Sequence, residues 1–289
     1  MKAAETIKLI RVHQWTKNLF IFLPAFFGQA LNADSAAQLL FGFLAFSLLA
    51  SSVYVLNDII DAPLDRLHQE KKSRPIASGA ISSIQAGTLG GVLCVLSLTA
   101  AYFIDLYFFY ACLFYLFQNI LYTNWLKKMA LVDITIISLG FLIRLFAGGV
   151  IADVPISNWM YIMTFLLAML LALGKRRDDL LILKNEGIEV RKAVRGYTLE
   201  FVNVSSVMLS AVVVVAYVMY TLSPDIIARV GNSNVYVTSL FVVLGILRYL
   251  QLALVYENTG SPTKILLKDN PTRLVVLGWI LTFGYLLYI

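Results

Sequence analysis

Nine apolar runs constrain this chain more than anything else in it: residues 18–31, 36–60, 84–104, 106–125, 131–151, 158–173, 199–222, 235–256 and 272–289. Most approach the roughly 20 residues that a helix needs to cross a bilayer. With 60% hydrophobic and only 14% charged residues, the chain reads as an all-α, multi-pass integral membrane protein with about nine transmembrane helices. The first run is short and carries Pro24. The sixth is also short, with room for its helix to continue past Gly174.

Charge follows an alternating pattern. Connections from odd to even runs are short and poor in basic residues, whereas even-to-odd connections are longer and basic. Apart from Arg144, Arg229 and Arg248, every Lys and Arg falls on the N-terminal side. The positive-inside rule then puts the N-terminus in the cytoplasm and the C-terminus on the opposite side of the plasma membrane. The net charge of +6 is read as this topology signal, not as a nucleic-acid footprint. Residues 1–16 lack the pattern of a cleavable signal peptide. Cys94 and Cys112 fall inside apolar runs as small packing residues. His13 and His68 stand apart from other metal-ligand side chains, so no zinc site is expected. A single multi-pass domain over residues 1–289 follows, with polar loops at 57–79 and 174–197 on the cytoplasmic side. Those loops lie four helices apart, as duplication of a helical unit would leave them.

The second run closes on Asn57-Asp58-Ile59-Ile60-Asp61-Ala62-Pro63-Leu64-Asp65. Steps of about 100° per residue put Asp58, Asp61 and Asp65 within an arc of about 60°. Three carboxylates on one stripe repel unless a cation sits among them, and hard oxygen ligands suit Mg²⁺, which completes its shell with water and substrate phosphates. Solvated charges after a membrane span are the plain alternative. Pro63 disfavours helical geometry at Ala62, so the third carboxylate is expected from a turn just past the helix end. Lys72 and Arg74 follow closely; a bare metal site gains nothing from them, but a site for metal and polyanion together does.

Three further segments stand out. Gly174-Lys175-Arg176-Arg177-Asp178-Asp179 ends the sixth run; Lys175 and Asp179 at i,i+4 also fit an ordinary intrahelical pair. Arg11 to Asn18 precedes the first run, where Trp15 and Lys17 also suit interfacial anchoring. Tyr122 and Lys127 precede Asp133 and the intramembrane Arg144. An arginine at that depth demands a partner, expected on another helix or on a ligand because Asp133 lies about 16 Å along the same helix.

At these residues the sequence resembles the UbiA superfamily of intramembrane prenyltransferases, most nearly its polyprenyl-phosphate phosphoribosyltransferase branch. The resemblance runs through Arg11–Asn18, Asn57–Asp65 with Arg74–Gly79, Tyr122–Lys127, Leu142–Gly149, Gly174–Leu180 and the stretch from Gly260-Ser261-Pro262 to Asp269. It implies a helical bundle around a central cavity open to the membrane. It further implies phosphoribosyl pyrophosphate as donor, a long polyprenyl phosphate of the decaprenyl kind as acceptor, and Mg²⁺ as cofactor. On that basis Asp58, Asp61 and Asp65 are expected to hold Mg²⁺. Lys17, Asn57, Lys72, Arg74, Lys175 and Arg176 are expected at donor phosphates. Tyr122, Lys127 and Arg144 are expected at the acceptor phosphate or pyrophosphate, and Asp179 at the ribose or a basic neighbour. One departure matters: members that prenylate aromatic rings carry a second Asp-x-x-x-Asp motif, whereas Asp178 and Asp179 are adjacent here. The branch also usually has Glu in place of Asp179. Prenyl transfer from an isoprenoid diphosphate to an aromatic acceptor is the alternative reaction, and a transporter the alternative class.

Overall fold

A computed structural model describes residues 3–66, 71–257, 265 and 268–288, and every regular element among them is helical. In chain order these are α1 (Ala3–Ile10), a 3₁₀ stretch (Val12–Phe22), α2 (Leu23–Phe27), α3 (Ala33–Asp65), α4 (Ser83–Ile104), α5 (Leu106–Asn124), α6 (Val132–Ile151), α7 (Asn158–Glu186), α8 (Leu199–Thr221), α9 (Pro224–Val230), α10 (Ser239–Leu254) and α11 (Asn270–Tyr288). Seven of them, α3 to α8 and α10 with its 3₁₀ lead-in, are long and apolar enough to cross a membrane. Each expected apolar run has a helical counterpart, so nine is an approximate count of spans. The sixth run does continue: α7 extends to Glu186, where Gly187 closes it at φ 70°.

By contact the chain divides into two compact units, residues 1–125 with 143–155, and residues 126–142 with 156–289. In the first, α3 is the longest element, 33 residues started by a reciprocal cap between Asn32 and Ser35. Its core holds Phe46, Leu49 and Val53 against Phe108, Cys112 and Tyr115 of α5 and Ala147 of α6. Both cysteines pack here as free thiols. Small residues allow close approach, as membrane helices require: the Ser97 hydroxyl of α4 donates to the Ala45 carbonyl at 2.7 Å.

The first apolar run is not an α-helix along most of its length. Residues Val12–Phe22 form 3₁₀ turns after a left-handed step at Arg11 (φ 52°). Runs of this length are uncommon, and the side chains explain it. Trp15, Asn18 and Ile21 recur every three residues on one edge. Trp15 donates to Ser51 at 3.0 Å and Asn18 to Ser47 at 2.8 Å. Three residues of 3₁₀ and four of α-helix both advance about 6 Å, so the two rows stay in step. Gly148 of α6 lies against the same stretch; a Cβ there would sit 1.9 Å from the Ile21 carbonyl oxygen.

Pro63 does not end α3. The helix carries it internally and runs to Asp65, which corrects the expectation of a turn before the third carboxylate. The Arg66 amide still reaches the Ala62 carbonyl at 3.2 Å, and Ala62 packs with Val55, Ile76 and Ile81. Packing and the charge partners of Asp65 outweigh the proline's preference so close to the helix end.

The second unit builds its core from Ile134 of α6, Leu170 and Leu173 of α7, Val202 and Leu209 of α8, and Ala193, Val194 and Tyr197 from the segment between α7 and α8.

Candidate active site

The candidate residues fall into two clusters, one in each unit. In the first, the last two turns of α3 bring Asp58 and Asp65 to one face, 3% and 5% exposed. Arg74 Nη1 bridges them, 3.1 Å from Asp58 Oδ1 and 2.6 Å from Asp65 Oδ2. Arg11 Nη2 reaches the same Asp58 oxygen at 2.5 Å, its guanidinium over the Tyr54 ring at 5.2 Å. Local structure aims both arginines. Arg11 stands at the left-handed step after α1. Arg74 follows a 3₁₀ turn, Lys71–Ser73, pinned by the Ile81 amide on the Pro75 carbonyl at 3.0 Å and by buried Ile76 and Ala77.

Among the described residues no three Asp, Glu, His or Cys side chains converge as a metal cage. Asp58 and Asp65 form a buried pair, and Asp61 is partly exposed. Two guanidinium groups, Arg11 and Arg74, supply positive charge beside the pair. The pair still fits Mg²⁺: it offers hard oxygens close enough for one nitrogen to touch both, and Mg²⁺ needs only one or two carboxylates beside substrate phosphates.

Asn57 is tied to the end of α5, where the Thr123 hydroxyl donates to its Oδ1; Tyr122 beside it is partly buried. Lys17 is partly buried and Lys72 exposed. Arg144 is 4% exposed. Its Nε donates to Asn18 Oδ1 at 2.7 Å and its Nη2 to Tyr115 Oη at 3.1 Å, with the rings of Phe46 and Tyr115 at 5.0 and 4.9 Å. The expected partners on other elements are present.

In the second unit, Arg176 is 1% exposed, its Nε 2.6 Å from Asp133 Oδ2 and its Nη1 2.5 Å from Asp179 Oδ2. Arg191 Nε adds to the same Asp179 oxygen at 3.2 Å. Tyr197 Oη donates to Asp133 Oδ1 at 2.7 Å and accepts the Leu131 amide at 2.7 Å. Burial, then the Asp133 carboxylate, push the Tyr197 phenol well above its ordinary pKa, so it remains a donor. This alternating array joins the start of α6, the end of α7 and the segment after it. Arg176 is thus a buried counter-ion of Asp133 and Asp179, and Arg191 is a second basic neighbour of Asp179. Lys175 and Lys127 are partly exposed. His68, Gly260, Ser261 and Pro262 lie outside the described residues.

The sequence pattern marks neither Arg11 nor Asp133, Arg191 and Tyr197 as site residues. Charge balance was the available signal: each buried carboxylate needs a cation, but several arginines were candidates for each.

Apolar helices whose ends gather buried carboxylates and arginines define a multi-pass membrane protein with two polar clusters. The profile of the UbiA prenyltransferase family matches residues 18–268. The decaprenyl-phosphate phosphoribosyltransferase of Mycolicibacterium smegmatis is 33% identical over 98% of this chain and 92% of its own. Its namesake from Mycobacterium tuberculosis is 31% identical over 97% and 93%. A solved UbiA homolog from Archaeoglobus fulgidus, bound to GPP and Mg²⁺, superposes with a TM-score of 0.74 at 21% identity, covering 99% of this chain and 100% of that one. That likeness carries the fold. The chain belongs to the UbiA prenyltransferase family.

Proposed function

We propose that the protein transfers the 5-phosphoribosyl group of phosphoribosyl pyrophosphate to a polyprenyl phosphate at the cytoplasmic face of the plasma membrane. The observation that supports this most is the buried Asp58–Arg74–Asp65 bridge, in a chain similar over nearly its whole length to relatives named for that reaction. An oxygen of the lipid phosphate attacks ribose C1, the bond from C1 to the pyrophosphate oxygen breaks, and pyrophosphate leaves with the electron pair. The acceptor is already an anion near neutral pH, so no strong general base is required.

Mg²⁺ held by Asp58 and Asp65, with Asp61 as a further ligand, would supply Lewis-acid neutralisation of the leaving group. Arg74 and Arg11 are charged donors beside those carboxylates, suited to phosphate oxygens. Lys17, Asn57 and Lys72 are further candidates for donor phosphates, and Tyr122 for the acceptor phosphate. In the second unit Lys175 and Lys127 are the candidate phosphate ligands. Carboxylates fixed before reaction also stabilise positive charge developing on the ribose.

The GPP-bound homolog favours a second reading, prenyl transfer from an isoprenoid diphosphate; the adjacent Asp178 and Asp179 in place of a spaced second motif weigh against it. Mass-spectrometric detection of phosphoribosyl-polyprenyl phosphate from purified protein, both substrates and Mg²⁺ is the expected result. Product only from an isoprenoid diphosphate and an aromatic acceptor would overturn the proposal in favour of that reading.

A further inference from the structure

The three consecutive cations near the end of α7 differ in their surroundings. Arg176 has two carboxylates, whereas Arg177, 5% exposed, has none in hydrogen-bond contact. Its Nε donates to the Asn203 amide oxygen of α8 at 2.9 Å. Its Nη2 lies 3.7 Å from Glu257 Oε1, on a side chain 59% exposed, so that pair is long and screened by solvent. Its Nη1 is buried and, among the described residues, without a hydrogen-bond partner. A buried charge is ordinarily paired and its donors satisfied. Here the position of the guanidinium is set by a neutral amide at Nε, and on the opposite edge Nη1 is unpartnered among the described residues while Nη2 has only the long, solvent-screened contact to Glu257.

We propose that Arg177 is an anion receptor whose Nη1–Nη2 edge takes two oxygens of a phosphate monoester. The fork spacing of a guanidinium matches two phosphate oxygens, and such a pair is charge-assisted. Asn203 acts as the positioning residue, holding the plane of the fork without neutralising it. The inference rests on the phosphoribosyl-transfer reading for its ligand class: the donor carries a 5-phosphate and the acceptor a lipid phosphate, both monoesters.

Binding of ribose 5-phosphate and of farnesyl phosphate to the full-length protein in lipid nanodiscs tests this, by titration followed in ³¹P NMR. Arg177→Gln is expected to weaken one probe at least ten-fold, and the probe affected identifies the source of the phosphate. Arg177→Lys keeps the charge without the fork and is expected to fall between. Asn203→Asp is isosteric and gives the guanidinium an internal counter-ion, so it is expected to melt no lower than wild type yet to bind the same probe less tightly. Equal affinity of wild type and Arg177→Gln for both probes, no binding of either by wild type, or a loss of melting temperature in Arg177→Gln with binding intact would overturn the proposal. Failure of the reaction itself reads out separately: a protein that binds a monoester through Arg177 but yields no phosphoribosyl lipid removes the reaction and leaves the receptor.

Discussion

Arg11 and Asp58, 47 positions apart in the chain, meet at 2.5 Å, and this contact fastens the segment before the first apolar run to the acidic end of α3. Asp58 is 3% exposed while Arg11 keeps 22% of its side chain in solvent, so the carboxylate carries most of the burial.

Removing Arg11 leaves Asp58 to Arg74 alone. Breaking a buried pair costs about 3–5 kcal/mol, and the remaining arginine keeps the loss toward the low end. Arg11→Gln is expected to unfold at lower denaturant in mixed micelles containing chelator, with Mg²⁺ narrowing the gap. A gap that Mg²⁺ leaves unchanged would argue against a cation seat at Asp58.

Asp58→Asn and Asp65→Asn each remove a proposed metal ligand. Losses of preorganised charge stabilisation of this kind run to about 10²–10³ in kcat. Both variants are expected to show that loss in product formation and weaker Mn²⁺ binding by electron paramagnetic resonance. Excess chelator is expected to stop wild-type turnover.

Arg176 predicts a stability effect. Arg176→Gln leaves Asp133 to the Tyr197 hydroxyl and Asp179 to Arg191, at a cost toward the low end of the about 3–5 kcal/mol of a broken buried pair. Calorimetry of the variant should show a marked drop in melting temperature. Combining it with Asp133→Asn should recover part of the loss, because the two side chains share one interaction; strictly additive losses would deny the coupling.

Two glycines give a paired test of close packing. Gly148→Ala places a Cβ 1.9 Å from the Ile21 carbonyl oxygen, and overpacking of this kind costs about 1–3 kcal/mol. Gly91 in α4 has nothing within 4 Å of the same added atom, so Gly91→Ala should be neutral or stabilising by up to about 1 kcal/mol. Melting curves that fail to separate the two would contradict the approach of α6 to the 3₁₀ stretch.

Local periodicity made much of this protein readable in advance. The apolar runs became helices, and the spacing of Asp58 and Asp65 put them on one face, because a helix repeats the same turn wherever its hydrogen bonds close. The 3₁₀ stretch at Val12–Phe22 was not readable, since its cause is a row of serines on α3 at the matching rise. Helix through Pro63 was not readable either; its support is the packing of Ala62 and the Arg74 bond to Asp65.

What the amino-acid order decided by itself was which segments enter a membrane, which helix ends carry charge, and which family the chain belongs to. Only the tertiary structure decided which guanidinium meets which carboxylate: Arg11 and Arg74 on α3, Arg176 between Asp133 and Asp179, Arg144 with neutral partners, and Arg177 with a donor to spare. The physical reason is reach. Helical hydrogen bonds link residues four apart, but the partner of a buried charge is whichever opposite charge the packing of distant segments brings within about 3 Å.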